Sequence, residues 1–303
     1  MKLSNILIAV GMLMLTACGD DDKQPVEVIT GPTEVSVISC DILPDNSSQT
    51  GDLAWKNRRA AVLSMVASEK PDILCLQGQY WNQAVYLEQQ LVGYDVIDYN
   101  VNGNDSNTGR HNTIMYRADK YTLVNQGRFW LSQKPTTMTY PWAAKDAERR
   151  CTTWVLLKDN ATNARFYVGC TLMNDGDEPE DMTARLNSAK LNVEKFQEFM
   201  MTDETDIPVI LAGNMNASAD ETDSRHECLA PYYKWMISAR EKASSTDNRP
   251  SYNGLGTPAA GRSLTPDHIF LYKASALSFK TLESNYGVQY LSDHNPISCK
   301  VKI

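Results

Sequence analysis

Two short stretches of this chain are almost wholly apolar: Asp72-Ile-Leu-Cys-Leu-Gln77, and Ile207-Pro-Val-Ile-Leu-Ala212, which ends at Gly213. Runs of this length are too short for a buried helix and read as buried strands. Each follows a stretch with helical patterning. From Ala54 onward, Trp55, Val62, Leu63 and Val66 share one face while Lys56, Arg58 and Glu69 stay polar, and Pro71 stops the helix. Over 181–201, Met182, Leu186, Ala189, Val193, Phe196 and Met200 recur at alternating spacings of four and three. Helices leading into buried strands place the chain among α/β folds.

The remaining segments fit that class. Glu34–Asp41 alternates with period two and reads as a first strand, and a second helix covers about Trp81 to Leu91. Further strands are expected at 94–99, 112–116, 121–131, 151–158, 165–173, 267–272, 276–282 and 297–303, with a partly helical stretch at 233–243. The loop 132–149 carries Trp142 and charges of both signs, and a second loop covers 244–263. No repeat or linker interrupts the chain after residue 33, so 34–303 is expected to form one domain.

The N-terminus reads as a processing signal. Lys2 precedes an apolar run, Ile6 to Leu15, that is too short to span a bilayer. It ends in Leu15-Thr-Ala-Cys18, which resembles a bacterial lipobox. On that reading residues 1–18 end in a lipidated cysteine, Cys18, and 19–33 form a flexible tether. The acidic run Gly19-Asp-Asp-Asp22 resembles the surface-export signals of some Gram-negative lipoproteins. The expected location is the bacterial cell envelope, at the outer membrane on either face, with the lipid as the only membrane contact. Of seven cysteines, the six beyond Cys18 show no metal-ligand spacing and mostly sit in strand-like runs. They are expected to be free core thiols.

Chemistry-bearing groups gather near the end. Ser292-Asp293-His294 sets a carboxylate beside an imidazole at the entry to the last strand, and an oriented histidine is a natural proton carrier near neutrality. Alone this tripeptide means little. It closes an ordered series, however: Trp55-Lys-Asn-Arg58, Pro71-Asp-Ile-Leu-Cys-Leu-Gln77, Phe129-Trp-Leu-Ser132, Gly213-Asn-Met-Asn216, Ser251-Tyr-Asn-Gly-Leu-Gly256, Asp267-His-Ile-Phe270 and Ser292-Asp-His294. The series resembles the endonuclease/exonuclease/phosphatase superfamily in its bacterial secreted branch. The resemblance implies a four-layer α/β sandwich, with two packed mixed β-sheets flanked by helices. It also implies hydrolysis of phosphate mono- or diesters with a divalent metal, usually magnesium.

Carried over by position, the resemblance is uneven. His294 matches the histidine that contacts the scissile phosphate, Asp267 the carboxylate that orients it, Asn216 a phosphate-binding amide, and Asp293 an acid near the metal. Elsewhere the pattern breaks. Asp41 stands for the first-strand asparagine, Gly78 for the metal-binding glutamate, Asn214 for the aspartate that positions the nucleophile, and Thr171 for the histidine of a Thr-His-Leu motif. An amide cannot accept a proton, and Gly78 leaves Asp41 and Asp293 as the remaining metal candidates. Magnesium or manganese is therefore expected to bind weakly or not at all. The expected protein is an envelope lipoprotein with impaired phosphate-ester hydrolysis, its pocket used for a phosphorylated small molecule, a sugar or a lipid headgroup. The alternative is an active magnesium-dependent phosphodiesterase or phosphatase with a rearranged site. The net charge of −8 argues against nucleic acid as a partner. Two further nucleophile schemes, Cys40 or Cys170 with His294 and a triad through Ser292, lack an electropositive neighbour and a Gly-x-Ser-x-Gly elbow respectively.

Overall fold

A computed structural model describes residues 32–46, 49–104, 106–142, 148–202, 206–247, 249–258, 263–283 and 286–303. Cys18 and the signal segment, with most of the tether, lie outside these residues. The described chain contains β1 (Glu34–Asp41), α1 (Trp55–Glu69), β2 (Ile73–Gln77), α2 (Trp81–Gln90), β3 (Tyr94–Asn100), β4 (His111–Arg117), β5 (Tyr121–Trp130), β6 (Cys151–Asp159) and β7 (Arg165–Leu172). After these come α3 (Pro179–Thr202), β8 (Val209–Asn214), α4 (Ala230–Trp235), β9 (Ile237–Ser238), α5 (Ala239–Lys242), β10 (Ser245–Thr246), β11 (Asp267–Tyr272), β12 (Ser275–Thr281) and β13 (Ile297–Lys302).

The strands form two mixed sheets. One has the order β10-β12-β13-β1-β2-β4-β3, the other β5-β6-β7-β8-β11-β9. The pairs β1/β2 and β7/β8 are parallel, and each is bridged by a crossover containing a helix, as parallel pairing requires. Alternate residues face inward and meet between the sheets: Val35, Val37, Ile73 and Cys75 from one, Val168, Cys170, Ile210 and Ala212 from the other. The opposite faces pack on helices, α1 over Leu74 and Leu76, and α3 over Tyr167 and Leu211. This is the four-layer sandwich expected from the sequence, and it explains why β2 and β8 are apolar on both faces.

Two helices depart from the expected pattern. Arg58, assigned to the polar side of α1, is fully buried. Its guanidinium donates to the carbonyls of Leu53 (2.6 Å), Leu291 (2.7 Å) and Leu43 (3.0 Å). It thus ties α1 to the ends of β1 and of the loop before β13, and those bonds offset the cost of burying the charge. The inner face of α3 is rotated toward small and polar residues, with Ala184, Arg185, Ser188 and Asn192 buried alongside Ala189 and Phe196. The six described cysteines are all free and buried.

Candidate active site

Strand register gathers the site at one end of both sheets. Asp41 is opposite Gln77 where β1 and β2 end in parallel. Leu172 and Asp267 both lie opposite Asn214, at the ends of β7 and β11. Gly213 makes this crossing feasible: its φ is +154°, and a Cβ there would lie 1.9 Å from the Thr171 carbonyl oxygen. The loop before β13 returns to this end, where a backbone bridge joins His294 to Tyr252. Ser292 takes a structural part, accepting the Leu43 N–H at 2.9 Å and donating to Asp293 Oδ1 at 3.1 Å.

A cleft of about 210 Å³ results, with Asp41, Leu172, Asn214, Asn216, Asp293 and His294 on its walls. His294 Nδ1 lies 2.8 Å from Asp267 Oδ2, both residues buried. Burial alone would lower the imidazole pKa. The Asp267 carboxylate, with Asp41 and Asp293 beyond, instead raises it to about 10, so His294 is a cation at neutral pH. Asn216 takes the left-handed conformation (φ 47°), which asparagine tolerates. Its N–H donates to Asn214 Oδ1 at 2.9 Å and its Nδ2 to the Met173 carbonyl at 3.0 Å.

The substituted positions act on one another. Asn214 Nδ2 donates to Asp41 Oδ2 at 2.7 Å. The other oxygen of Asp41 fills the space beside Gly78, where a Cβ would lie 2.6 Å from it and 3.5 Å from Arg110 Nη1. A carboxylate and a guanidinium thus occupy the room a longer side chain at 78 would need. Burial raises the Asp41 pKa, opposed by the positive charge of His294. Thr171 does not face the cleft. Its hydroxyl lies 2.8 Å from that of Thr152, whose proton goes to Asn192 Oδ1 of α3 (2.7 Å). Strand alternation turns Leu172 inward instead, so the motif histidine is matched by Leu172 rather than Thr171. Leucine supplies neither a proton nor a hydrogen bond.

Two arginines missing from the sequence reading complete the cleft. Arg110 and Arg150 line it, bridged by Glu148 at 2.6 and 2.8 Å, and Arg150 also approaches Asp175 at 3.5 Å. The signal for Arg150 was a charged cluster, Glu148-Arg149-Arg150, running straight into a buried strand. Arg110 had no comparable signal. Trp142 of the 132–149 loop packs against the apolar cluster beneath α3 and α4. The thiol scheme fails on chemistry, because burial pushes Cys40 and Cys170 well above their usual range.

The residue set fits a divalent metal poorly. Among the described residues, no group of three or more His, Cys, Asp or Glu side chains is placed to hold an ion. Asp41 is engaged by an amide and faces a guanidinium, whereas magnesium demands free anionic oxygens in octahedral array.

A family profile for the endonuclease/exonuclease/phosphatase family matches residues 46–294. The chain belongs to the endonuclease/exonuclease/phosphatase family. Solved structures agree on the fold. An endonuclease/exonuclease/phosphatase from Bacteroides vulgatus is 24% identical, with a TM-score of 0.77 over 89% of this chain and 98% of that one. A mannosyl-6-phosphatase from Bacteroides thetaiotaomicron is 24% identical, with a TM-score of 0.74 over 88% and 98%. The catalytic domain of human Nocturnin, with bound sulfate, is 18% identical, with a TM-score of 0.65 over 88% and 93%. No curated protein sequence matches significantly. Family members commonly use divalent metals, which sets the Gly78, Asp41 and Arg110 arrangement apart chemically.

Proposed function

We propose that the protein binds phosphorylated small molecules and that its ordinary metal-dependent ester hydrolysis is impaired. One observation carries this reading: the Asn214 amide spends its N–H on Asp41 at 2.7 Å. At that position the family places a carboxylate to align the attacking water. An amide so engaged neither takes a proton nor carries the charge that orients a nucleophile. What remains suits recognition of an oxyanion. His294 offers a positive ring, Arg110 and Arg150 offer forked donors, and Asn216 lies beside them. Asp41, Asp175 and Asp293 offset part of that charge, so affinity for phosphate should be modest. The structural similarity to a mannosyl-6-phosphatase supports a small phosphate ester as ligand, whether sugar or lipid headgroup. Nucleic acid is disfavoured by the net charge of −8. We further propose that Cys18 is lipidated and tethers the domain to the outer membrane.

The test compares the unmodified protein with an Asp41→Asn/Gly78→Glu/Leu172→His/Asn214→Asp variant, which returns family residue types to the cleft. Each is given a panel of phosphate mono- and diesters with magnesium, manganese or EDTA. The expected result is ester binding in EDTA without turnover by the unmodified protein. Metal-dependent turnover by that protein, abolished by His294→Ala, would overturn the proposal in favour of an active, rearranged hydrolase.

A further inference from the structure

Next to the phosphate cleft is a second, larger cavity of about 580 Å³, between the start of α2, the turn before β4 and the segment around Tyr140 and Glu148. This is within the range of small-ligand sites, ~300–1,000 Å³. Arg110 lines both spaces, so a molecule held by its phosphate at Arg110 would extend its remainder into the larger one.

The lining is specific in kind. Trp81 is 51% exposed, a large flat apolar surface at the first position of α2. Around it are directional polar groups already held in place. Asn82 Nδ2 donates to Asp45 at 2.8 Å. Arg149 donates to Asn102 Oδ1 at 2.9 Å and lies 4.3 Å above the Tyr140 ring. The Arg149 Nε is buried and has no hydrogen-bond partner among the described residues. An exposed indole with fixed amides and a guanidinium around it matches a sugar ring, which has apolar C–H faces and a rim of hydroxyls.

We infer that this cavity receives the sugar of a phosphorylated mono- or disaccharide, stacked on Trp81 with its phosphate toward Arg110. The inference rests on the phosphate-binding reading above, and the test separates the two. Binding of mannose 6-phosphate, glucose 6-phosphate, free mannose, adenosine 5′-monophosphate and inorganic phosphate is measured in EDTA, by calorimetry and tryptophan fluorescence. The proteins are the unmodified chain, Trp81→Ala and Trp81→Phe. Trp81 is half exposed, and the cap of α2 is made by Gln83 accepting the Tyr80 N–H, so the variants should fold. A hexose 6-phosphate should bind at least about tenfold tighter than inorganic phosphate. Trp81→Ala should erase that advantage, Trp81→Phe should recover much of it, and inorganic phosphate should bind all three alike. The inference is overturned if hexose phosphates gain nothing over inorganic phosphate, if Trp81→Ala keeps the advantage, or if the monophosphate nucleotide is the tighter, Trp81-dependent ligand. Trp81-dependent binding of mannose without any phosphate binding would sink the phosphate reading and keep the sugar cavity. Silence from every ligand would overturn both.

Discussion

Replacing Asn214 by Asp restores the family residue, yet here it should destabilise the protein in a pH-dependent way. Asn214 Nδ2 and Asp41 Oδ2 are 2.7 Å apart in a buried setting. Two carboxylates at that distance would repel by about 6 kcal/mol at an effective dielectric of ~20. The pair has a cheaper escape, which is to hold one proton between them. Protonating a carboxyl of ordinary pKa near 4 costs about 4 kcal/mol at pH 7 and about 1 kcal/mol at pH 5. The shared proton then rebuilds the lost hydrogen bond. Asp41 already has a raised pKa, so these costs are upper limits. The folded pair binds its proton more tightly than the unfolded chain does, so the penalty shrinks as pH falls. For a domain of this size, the melting temperature should drop by roughly 8–16 °C at pH 7 and only a few degrees at pH 5. Thermal unfolding of the parent and Asn214→Asp at both pH values checks this. Equal losses at the two pH values, or none at pH 7, would show that residues 41 and 214 do not make the contact on which the site reading depends.

The His294–Asp267 pair makes the opposite pH prediction. The folded pKa of His294, about 10, exceeds its ordinary 6.5, so its stabilisation is complete below pH 6.5 and is lost as pH rises through 10. Melting curves between pH 6 and 10 should show this loss, and Asp267→Asn should flatten it while bringing the His294 titration, followed by NMR, well below 10. Arg58→Ala should cost about 3 kcal/mol, because it leaves the buried Leu291 carbonyl and the partly buried Leu43 and Leu53 carbonyls without their charged donor. It should also weaken phosphate binding by loosening the loop that carries His294. Denaturant melts and calorimetry test both effects, and Arg58→Lys should rescue them only in part, since lysine lacks the fork. In the native protein the six described cysteines should resist a thiol reagent on the minutes scale and all react once it is unfolded, because burial shuts them away from the reagent.

The elements carried by strong periodicity were legible in the sequence: β2 and β8 as uninterrupted apolar runs, and α3 as a long helix. What sequence missed has one common cause, the direction in which a side chain points. Arg58 reads as surface because arginine usually is, and only the three carbonyls converging on it explain its burial. Thr171 and Leu172 differ by one residue, which on a strand means opposite faces of the sheet. A motif matched letter by letter landed on the wrong face. Arg110 and Arg150 belong to segments distant in sequence, and Glu148 brings them together.

Asp41, Gly78 and Asn214 lie in separate stretches of the sequence, and the structure joins them. Glycine at 78 leaves space for the Asp41 carboxylate and for Arg110. With a carboxylate at 41, residue 214 must donate a hydrogen bond rather than add a second negative charge, and asparagine does so. The residues found here fit one another: Asn214 donates to Asp41, and Asp41 and Arg110 fill the space beside Gly78. A Gly78→Glu change alone would drive the new side chain into Asp41, and Asn214→Asp alone would set carboxylate against carboxylate. Reversion at 78 or at 214 alone therefore meets a barrier, whereas an asparagine at 41 would still offer an oxygen to Asn214. These three changes form one alternative arrangement, built on an amide–carboxylate contact beside a guanidinium.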